Sequence, residues 1–240
     1  MSNELDADLI NLECYGEIIF LEETGHFLAD KVLRKIQDGS YTWQDVVDEF
    51  NGCLVYLSGK YNLPDLEHTE DIQTDPRTGR VLLPANFQKN LWFCKSTTHN
   101  RPIAIDDTVI NLFRRYTVLD QTGVVRRVAV RGRHLHYQRV PSSAETLRLV
   151  YYRYPDRLRT RQDKPTCLPD HLVESLLVNY ACKEIYSEIE DGIEGAQVNT
   201  DRYSNRFAKA EAELASIPEI LADRHAPIDI PDEMEWNAYV

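Results

Sequence analysis

The sequence lacks the short motifs by which most nucleotide-binding proteins and many hydrolases are recognised. It contains neither GxGxxG nor GxxxxGK[ST], the glycine-rich loops that cradle phosphate groups. It also lacks the GxSxG turn that presents a catalytic serine, so nothing singles out one Ser, His and acid triad among the many that a chain of this length offers. We therefore predict no catalytic residues, no cofactor and no enzymatic activity, with a small hydrolase kept as an alternative.

Cysteine is scarce and its spacing fits neither disulfides nor zinc. The five cysteines are odd in number, form no CxxC pair and are widely separated: Cys14, Cys53, Cys94, Cys167 and Cys182. Such a set is typical of small core residues in a reducing compartment. The nearest metal-like pattern is His134 and His136, which a strand would direct to one face, but a closed zinc site requires four ligands. We predict no metal site and interpret the two histidines as a surface or packing pair.

Long apolar runs are also missing. No stretch approaches the roughly 20 apolar residues that span a bilayer, so we predict no membrane partner. The first residues, MSNELDADLINLEC, are acidic and carry no basic region followed by an apolar core, so we do not expect a secretory signal there.

Basic residues are scarce over most of the chain but concentrated in one block. The net charge is −12, yet residues 114–164 hold 13 Lys and Arg against 4 Asp and Glu, a local balance of +9. The arginines of this block alternate with tyrosines on predicted strands. The residues predicted to make contacts are Arg126, Arg127, Arg131, Arg133 and Arg139. We leave three interpretations open: contact with DNA, contact with an acidic surface of another copy, or simple solubility.

Two helices are predicted in the first third of the chain. TWQDVVDEFNGCLVYLSGKY predicts a core-facing helix over residues 42–61, with Thr42 and Asp45 placed as a capping box. Upstream, HFLADKVLRKI has apolar residues at helical spacing and is followed by Asp38 and Gly39. The two helices should form a hairpin, and GEIIFLEETG before them is ambiguous between a strand and a helical turn.

The middle of the chain changes to the pattern of strands and turns. DPRTGR predicts a turn before the short strand VLLP, and LWFCKS predicts another strand. Further β-branched runs are punctuated by Gly123 and Gly132, and TLRLVYYRYP closes the region. Several short strands with such turns predict an antiparallel sheet or a small barrel.

The helical pattern returns in LPDHLVESLLVNYACKEIYSEIEDG, where Gly192 is the expected stop. Leu172, Leu176 and Ile185 should face the core, and a second helix is predicted over about residues 200–216. Beyond it, Pro218, Pro227 and Pro231 exclude one continuous helix. The tail nevertheless keeps many large apolar residues, so we predict an arm that docks on a partner through Ile220, Leu221, Ile228, Ile230, Met234, Trp236 and Tyr239; the alternative is packing on its own domain.

These elements predict an α+β fold, in which a helical bundle core carries an inserted antiparallel β-sheet or small β-barrel and ends in an extended C-terminal arm. The predicted segments are an N-terminal helical segment, residues 1–74, and an inserted β-rich region, residues 75–155. A C-terminal helical pair, residues 156–216, completes the core, and the arm covers residues 217–240.

The order of these pieces resembles the head-to-tail connector, or adaptor, proteins of tailed bacteriophages. The resemblance is carried by YTWQDVVDEFNGCLVYLSGKYNLPDL, by the strand-rich middle, and by LRLVYYRYPDRLRTRQDKPTCLPDHLVESLLVNYACKEIYSEIEDG with RYSNRFAKAEAELA. In that family a strand ending in Tyr and Pro leads to a Leu-Pro start of a long helix. Tyr154, Pro155, Leu168 and Pro169 occupy the matching places. The larger middle insertion and the long acidic N-terminal segment depart from the family pattern.

The resemblance implies a structural protein of the virion neck, made in the host cytoplasm. It would form a ring of about twelve copies beneath the portal, extend the DNA channel and offer a platform to tail or nozzle proteins. A C-terminal arm that grips the portal is implied as well. A nucleic-acid-binding module that uses residues 114–164, or a neighbouring tail-completion protein, remains the alternative.

The long helix over residues 168–192 is the predicted site of ring contacts. Its wide apolar stripe exceeds what internal packing requires, so Tyr180, Glu184 and Glu188 at the edge of the stripe are predicted to meet the next copy. A ring interface joins two different faces of each copy, and a basic sheet with acidic helical ends can supply them.

Overall fold

The computed structural model describes residues 25–115, 121–160, 162–191 and 197–221. These residues form two compact units. The helical unit combines residues 25–61 with Pro155–Leu221, and the sheet unit is the continuous segment Asn62–Tyr154 that lies between them in the sequence. The predicted α+β fold with an inserted sheet is therefore confirmed, while the ambiguous stretch GEIIFLEETG lies outside the described residues.

The helical unit contains α1 (Gly25–Ile36), α2 (Trp43–Lys60), α4 (Asp170–Glu190), α5 (Val198–Ala215) and the short α6 (Pro218–Leu221). Both halves of the predicted capping box form at α2: Thr42 Oγ1 accepts from Asp45 N–H, and Thr42 N–H donates to the Asp45 carboxylate. This arrangement satisfies backbone donors that have no partner within the first turn of a helix. At the other end of the unit, the single turn α6 falls at the start of the predicted arm, residues 217–240. Residues 222–240 lie outside the described part.

Helix α4 is the centre of the helical unit, because α1, α2 and α5 all pack against it. The predicted core positions Leu172, Leu176 and Ile185 are all buried. On the α5 side, the rings of Tyr186 and Tyr203 stack with centroids 5.5 Å apart. The Glu190 carboxylate also accepts hydrogen bonds from the first backbone N–H groups of α5, so the end of α4 caps the start of α5.

The sheet unit is built from eight described strands and one short helix. The strands are β1 (Glu67–Gln73), β2 (Arg80–Leu82), β3 (Phe87–Ser96), β4 (Arg101–Pro102), β5 (Ala104–Asp106), β6 (Arg127–Arg131), β7 (His134–Gln138) and β8 (Thr146–Arg153). A 3-10 turn, Pro64–Leu66, precedes them, and α3 (Val109–Arg115) lies between β5 and β6.

The strands form two open four-stranded sheets. The first sheet has the order β1-β8-β3-β4 and is antiparallel, while the second has the order β2-β7-β6-β5 with β5 parallel to β6. The predicted antiparallel sheet is thus confirmed, and its alternative, a small barrel, is wrong because both sheets keep edge strands. The two sheets share one core, which is filled by buried residues of both, including Leu135, Tyr137, Leu149 and Tyr151. Helix α3 covers part of the outer face of the second sheet through Val109, Leu112 and Ala129.

Tyr137 holds the turn between β1 and β2 onto the second sheet. Its side chain is fully buried, and its hydroxyl accepts a hydrogen bond from Asp75 N–H at 2.9 Å. The same oxygen lies 2.8 Å from the carbonyl oxygen of Asp75 and 2.7 Å from that of Thr78. The predicted DPRTGR turn is therefore held by a residue about 60 positions away, whose hydroxyl contacts partly buried backbone groups of the turn.

We expect Tyr137→Phe to lower the free energy of unfolding by about 1 kcal/mol, because it leaves partly buried backbone groups of the turn without their partner. Urea unfolding followed by circular dichroism and tryptophan fluorescence measures the change. Tyr154→Phe, at a half-exposed tyrosine of the same unit, is the matched control. Equal stability of the two variants would contradict this role of the hydroxyl.

Candidate interaction surfaces

The outer face of the second sheet carries a cluster of cationic side chains: Arg80, Arg131, His134 and His136, here called the cationic sheet face. Their strand neighbours Val81, Val130, Leu135 and Tyr137 point into the core, and side chains alternate along a strand. In the register, Arg80 lies opposite His136 and Arg131 lies opposite His134. The two imidazole rings are 6.4 Å apart, which confirms that they share a face.

Exposed apolar side chains accompany this cationic surface. Leu82 lies opposite His134 in the register and is 63% exposed. Phe113 of α3 packs edge-on against His136, with ring centroids 6.3 Å apart, and remains 37% exposed. The surface therefore combines arginine with large apolar groups, the composition of many protein interfaces.

The environment of His136 disfavours its protonation. Burial lowers the pKa of His136 below its usual range, and the charges of Arg80 on β2, His134 on β7 and Arg131 on β6 lower the pKa further. The imidazole is consequently neutral at neutral pH, and the positive charge of this face comes from its arginines.

We expect stability to fall as the pH drops from about 7.5 to about 5.5, in part because of His136. The pKa of His136 is lower in the folded chain than in the unfolded chain, so the unfolded chain binds the proton first and acid favours unfolding. His136→Gln removes this contribution. Urea unfolding midpoints at the two pH values check it: the difference between them should be smaller in the variant, and an unchanged difference would contradict the assignment.

The five predicted arginines are not equivalent in the structure. Arg131 and Arg133 are exposed and flank Gly132, the left-handed residue of the β6–β7 turn. Arg127 instead forms an ion pair with the nearly buried Asp106, at 3.0 Å between Nη1 and Oδ1.

The remaining two, Arg126 and Arg139, are partly buried. Arg139 lies against Gly123: a Cβ atom added to Gly123 would lie 2.8 Å from the Cδ atom of Arg139. Of the five predicted arginines, Arg131 and Arg133 are therefore the two that are exposed and lie on or beside the cationic sheet face.

A second charged surface lies on α2 and α4. It consists of Asp48, Glu49, Glu184 and Glu188, here called the acidic helix face. Burial raises the pKa of Glu49, and the carboxylates of Glu184, Glu188 and Asp48 raise it further, whereas Lys183 lowers it. Four carboxylates around one lysine leave this face with an excess of negative charge.

The three predicted ring-contact residues lie at this surface but differ in their surroundings. Tyr180 packs inside the helical unit, with its ring centroid 5.3 Å from that of Phe207 and 6.2 Å from that of Tyr56. Burial raises the pKa of Tyr180 to about 12, and the neighbouring Glu184 contributes. Glu184 pairs with Lys183 at 2.7 Å.

Glu188, the third of these residues, is exposed and accepts a hydrogen bond from the Tyr41 hydroxyl at 3.2 Å. The carboxylates of Glu184 and Glu188 therefore remain at the surface, while Tyr180 is partly buried by its contacts within the helical unit.

Most of the predicted arm lies outside the described residues. Ile220 and Leu221 belong to α6, and Ile220 is partly buried. The other arm residues, Ile228, Ile230, Met234, Trp236 and Tyr239, fall within 222–240 and remain a prediction from the sequence.

The described cysteines and histidines show how other sequence predictions appear in the fold. Cys53, Cys94, Cys167 and Cys182 are buried and form no disulfide bond within the described ranges, as core residues should be; Cys14 lies outside the described part. Among the described residues, no group of three or more His, Cys, Asp or Glu is placed to hold a metal ion. No helix within those same ranges has the length and apolar character that crossing a bilayer requires.

Sequence reasoning missed Arg80, Asp48 and Glu49 as surface residues of interest. Arg80 joins the histidines only through the β2–β7 register, which pairs residues 56 positions apart, so no local signal indicates it. Asp48 and Glu49 are visible as the polar side of the predicted α2 helix, and the pattern of α2 alone points to them.

The chain thus combines a helical unit, which carries the acidic helix face, with an inserted sheet unit, which carries the cationic sheet face. The family model described as SU10 adaptor protein matches residues 27–231. The chain therefore belongs to the SU10 adaptor protein family, and the predicted resemblance to phage head-to-tail adaptors is confirmed at the level of the family. No curated protein matches the chain.

Proposed function

We propose that this phage adaptor protein forms a ring beneath the portal, extends the DNA channel and provides the platform to which the tail attaches. The match to the adaptor family, which extends over both compact units, carries the proposal. The ring would contain about twelve copies, as the resemblance implies. The protein would then be made in the host cytoplasm and end in the virion neck.

Three kinds of partner follow from this role. Other copies of the chain would meet around the ring, with Glu184 and Glu188 among the contacts and Tyr180 supporting them from within. The portal would bind the arm over residues 217–240. Tail or nozzle proteins would dock on the opposite end of the ring, and passing DNA would make weak contacts only.

Assembly on the portal tests the proposal directly. The purified protein, with and without the portal protein of the same phage, is examined by native mass spectrometry and electron microscopy. We expect a ring of about twelve copies that forms only when the portal is present. A chain that neither binds the portal nor forms a ring in its presence would contradict the proposed function.

A further inference from the structure

The cationic sheet face has the character of a surface that requires a partner. Arg80 and Arg131 are exposed, as is the neighbouring Arg133, and none of the three forms an ion pair with any other residue that the structure describes. This contrasts with Arg127 and Arg148, which pair with Asp106 and Asp71. Uncompensated arginine beside the exposed Leu82 and Phe113 leaves both charge and apolar area available for contact.

The chemistry of this face favours a protein over a nucleic acid. Binding to a DNA backbone rests on many cationic groups that neutralise phosphates, and it gains nothing from exposed leucine and phenylalanine. Here the imidazole of His136 is neutral at neutral pH, and a chain with net charge −12 repels DNA at long range. An acidic protein surface matches the remaining charge and also covers the apolar groups.

The acidic helix face supplies such a surface on every copy. Helices α2 and α4 pack together and bring these carboxylates to one surface, where Lys183 is already paired with Glu184 at 2.7 Å. Burial is the main cause of the raised pKa of Glu49, and the carboxylates of Glu184, Glu188 and Asp48 raise it further. A cation approaching from outside relieves this repulsion, whereas an anion increases it. The two faces belong to different units of the chain, so each copy presents both.

We propose that the cationic sheet face of one copy docks on the acidic helix face of the next copy. This inference rests on the proposed ring, and it names the two surfaces that would join neighbouring copies. Two different faces meeting head to tail generate a closed ring when the rotation between copies permits closure. The opposite charges fix which faces meet and disfavour contact between like faces.

Charge reversal followed by charge exchange tests the contact. We expect Arg80→Glu with Arg131→Glu to weaken ring formation on the portal by about 100-fold, and Glu184→Arg with Glu188→Arg to do the same. A chain that carries all four substitutions exchanges the two charges and should regain assembly to within about 10-fold of the wild type. Native mass spectrometry at about 0.15 M salt measures the ring fraction against protein concentration.

Two further variants complete the design. Arg157→Glu with Arg159→Glu makes the same change in net charge at exposed arginines of the helical unit and should assemble like the wild type. If a reversed variant fails to fold by circular dichroism, Arg80→Gln with Arg131→Gln removes the charge without reversing it and should weaken assembly by about 10-fold.

The outcomes separate the inference from the proposed function. The inference is overturned if both reversed variants form rings as well as the wild type does. It is also overturned if the chain with all four substitutions fails to regain assembly. Either result leaves the proposed function intact. If Arg80→Glu with Arg131→Glu loses DNA binding but still forms rings like the wild type, the inference is also overturned, and the cationic sheet face is assigned to DNA. A wild type that forms no ring on the portal contradicts the proposed function itself.

Discussion

Deletion of residues 217–240 is expected to abolish portal binding, with a loss of at least about 100-fold in affinity. The segment holds Trp236, Met234, Tyr239 and several isoleucines, and each large apolar side chain that becomes buried contributes about 1.5–3 kcal/mol. Three prolines prevent these residues from packing as one helix, so an extended docking arm is the conformation that the sequence favours. Surface plasmon resonance on immobilised portal measures the loss.

The deletion should leave the helical unit folded. The last core residue, Leu214, is fully buried, and Ser216 completes α5 by donating its backbone N–H to the carbonyl oxygens of the last turn. A shorter deletion, of residues 222–240 alone, retains α6 and shows whether Ile220 and Leu221 contribute. Unchanged portal binding after deletion of residues 217–240 would contradict the proposed docking arm, whereas membership in the adaptor family would not be affected.

Leu176→Ala is expected to lower the free energy of unfolding by about 2–5 kcal/mol. The side chain of Leu176 is fully buried in α4, the helix against which three other helices pack. Its removal loses the transfer free energy of the deleted atoms and leaves a cavity that the surrounding helices fill only in part. Since whole domains are stable by only about 5–15 kcal/mol, such a loss threatens the fold at physiological temperature.

Glu188→Gln, on the exposed side of the same helix, is the matched control for this prediction. It keeps an oxygen that can accept the hydrogen bond of Tyr41, so the free energy of unfolding should change by less than about 0.5 kcal/mol. Urea unfolding followed by far-ultraviolet circular dichroism, which reports on helix content, compares the two variants. Equal stability of Leu176→Ala and Glu188→Gln would contradict the central place of α4.

The elements that could be predicted from the sequence are those with local causes. The start of α2 depends on a capping box within four residues, and the β6–β7 turn depends on Gly132, whose φ of +60° suits glycine. The long apolar stripe of α4 likewise repeats at the helical period and needs no knowledge of its partners. Local chemistry decided these elements, and the structure confirms them.

The elements that escaped prediction depend on distant partners. The strand β1, EHTEDIQ, is too polar to read as a strand, and it forms because every one of its residues pairs with β8. The short strands β4 and β5 and the helix α3 carry too few residues for a periodic pattern. Strand β1 is instead specified by β8, its neighbour in the sheet, which lies some 80 positions away in the sequence.

The same limit applies to the candidate site. The sequence shows thirteen basic residues between positions 114 and 164 but not their partners. Arg148 makes two hydrogen bonds to Asp71 across the β1–β8 pair, so its charge is already used within the fold. The exposed charge that remains on the sheet is a smaller set, and Arg80 joins that set from outside the basic block.

The insertion of the sheet unit between the two halves of the helical unit fixes an order of completion during synthesis. The ribosome releases α1 and α2 first, but their packing partners α4 and α5 emerge only after the whole segment Asn62–Tyr154. The sheet unit has all its strands in one continuous segment and can close before the chain is finished. Until then the buried faces of α1 and α2 are exposed, and a chaperone that shields nascent apolar surfaces would act on them at this stage.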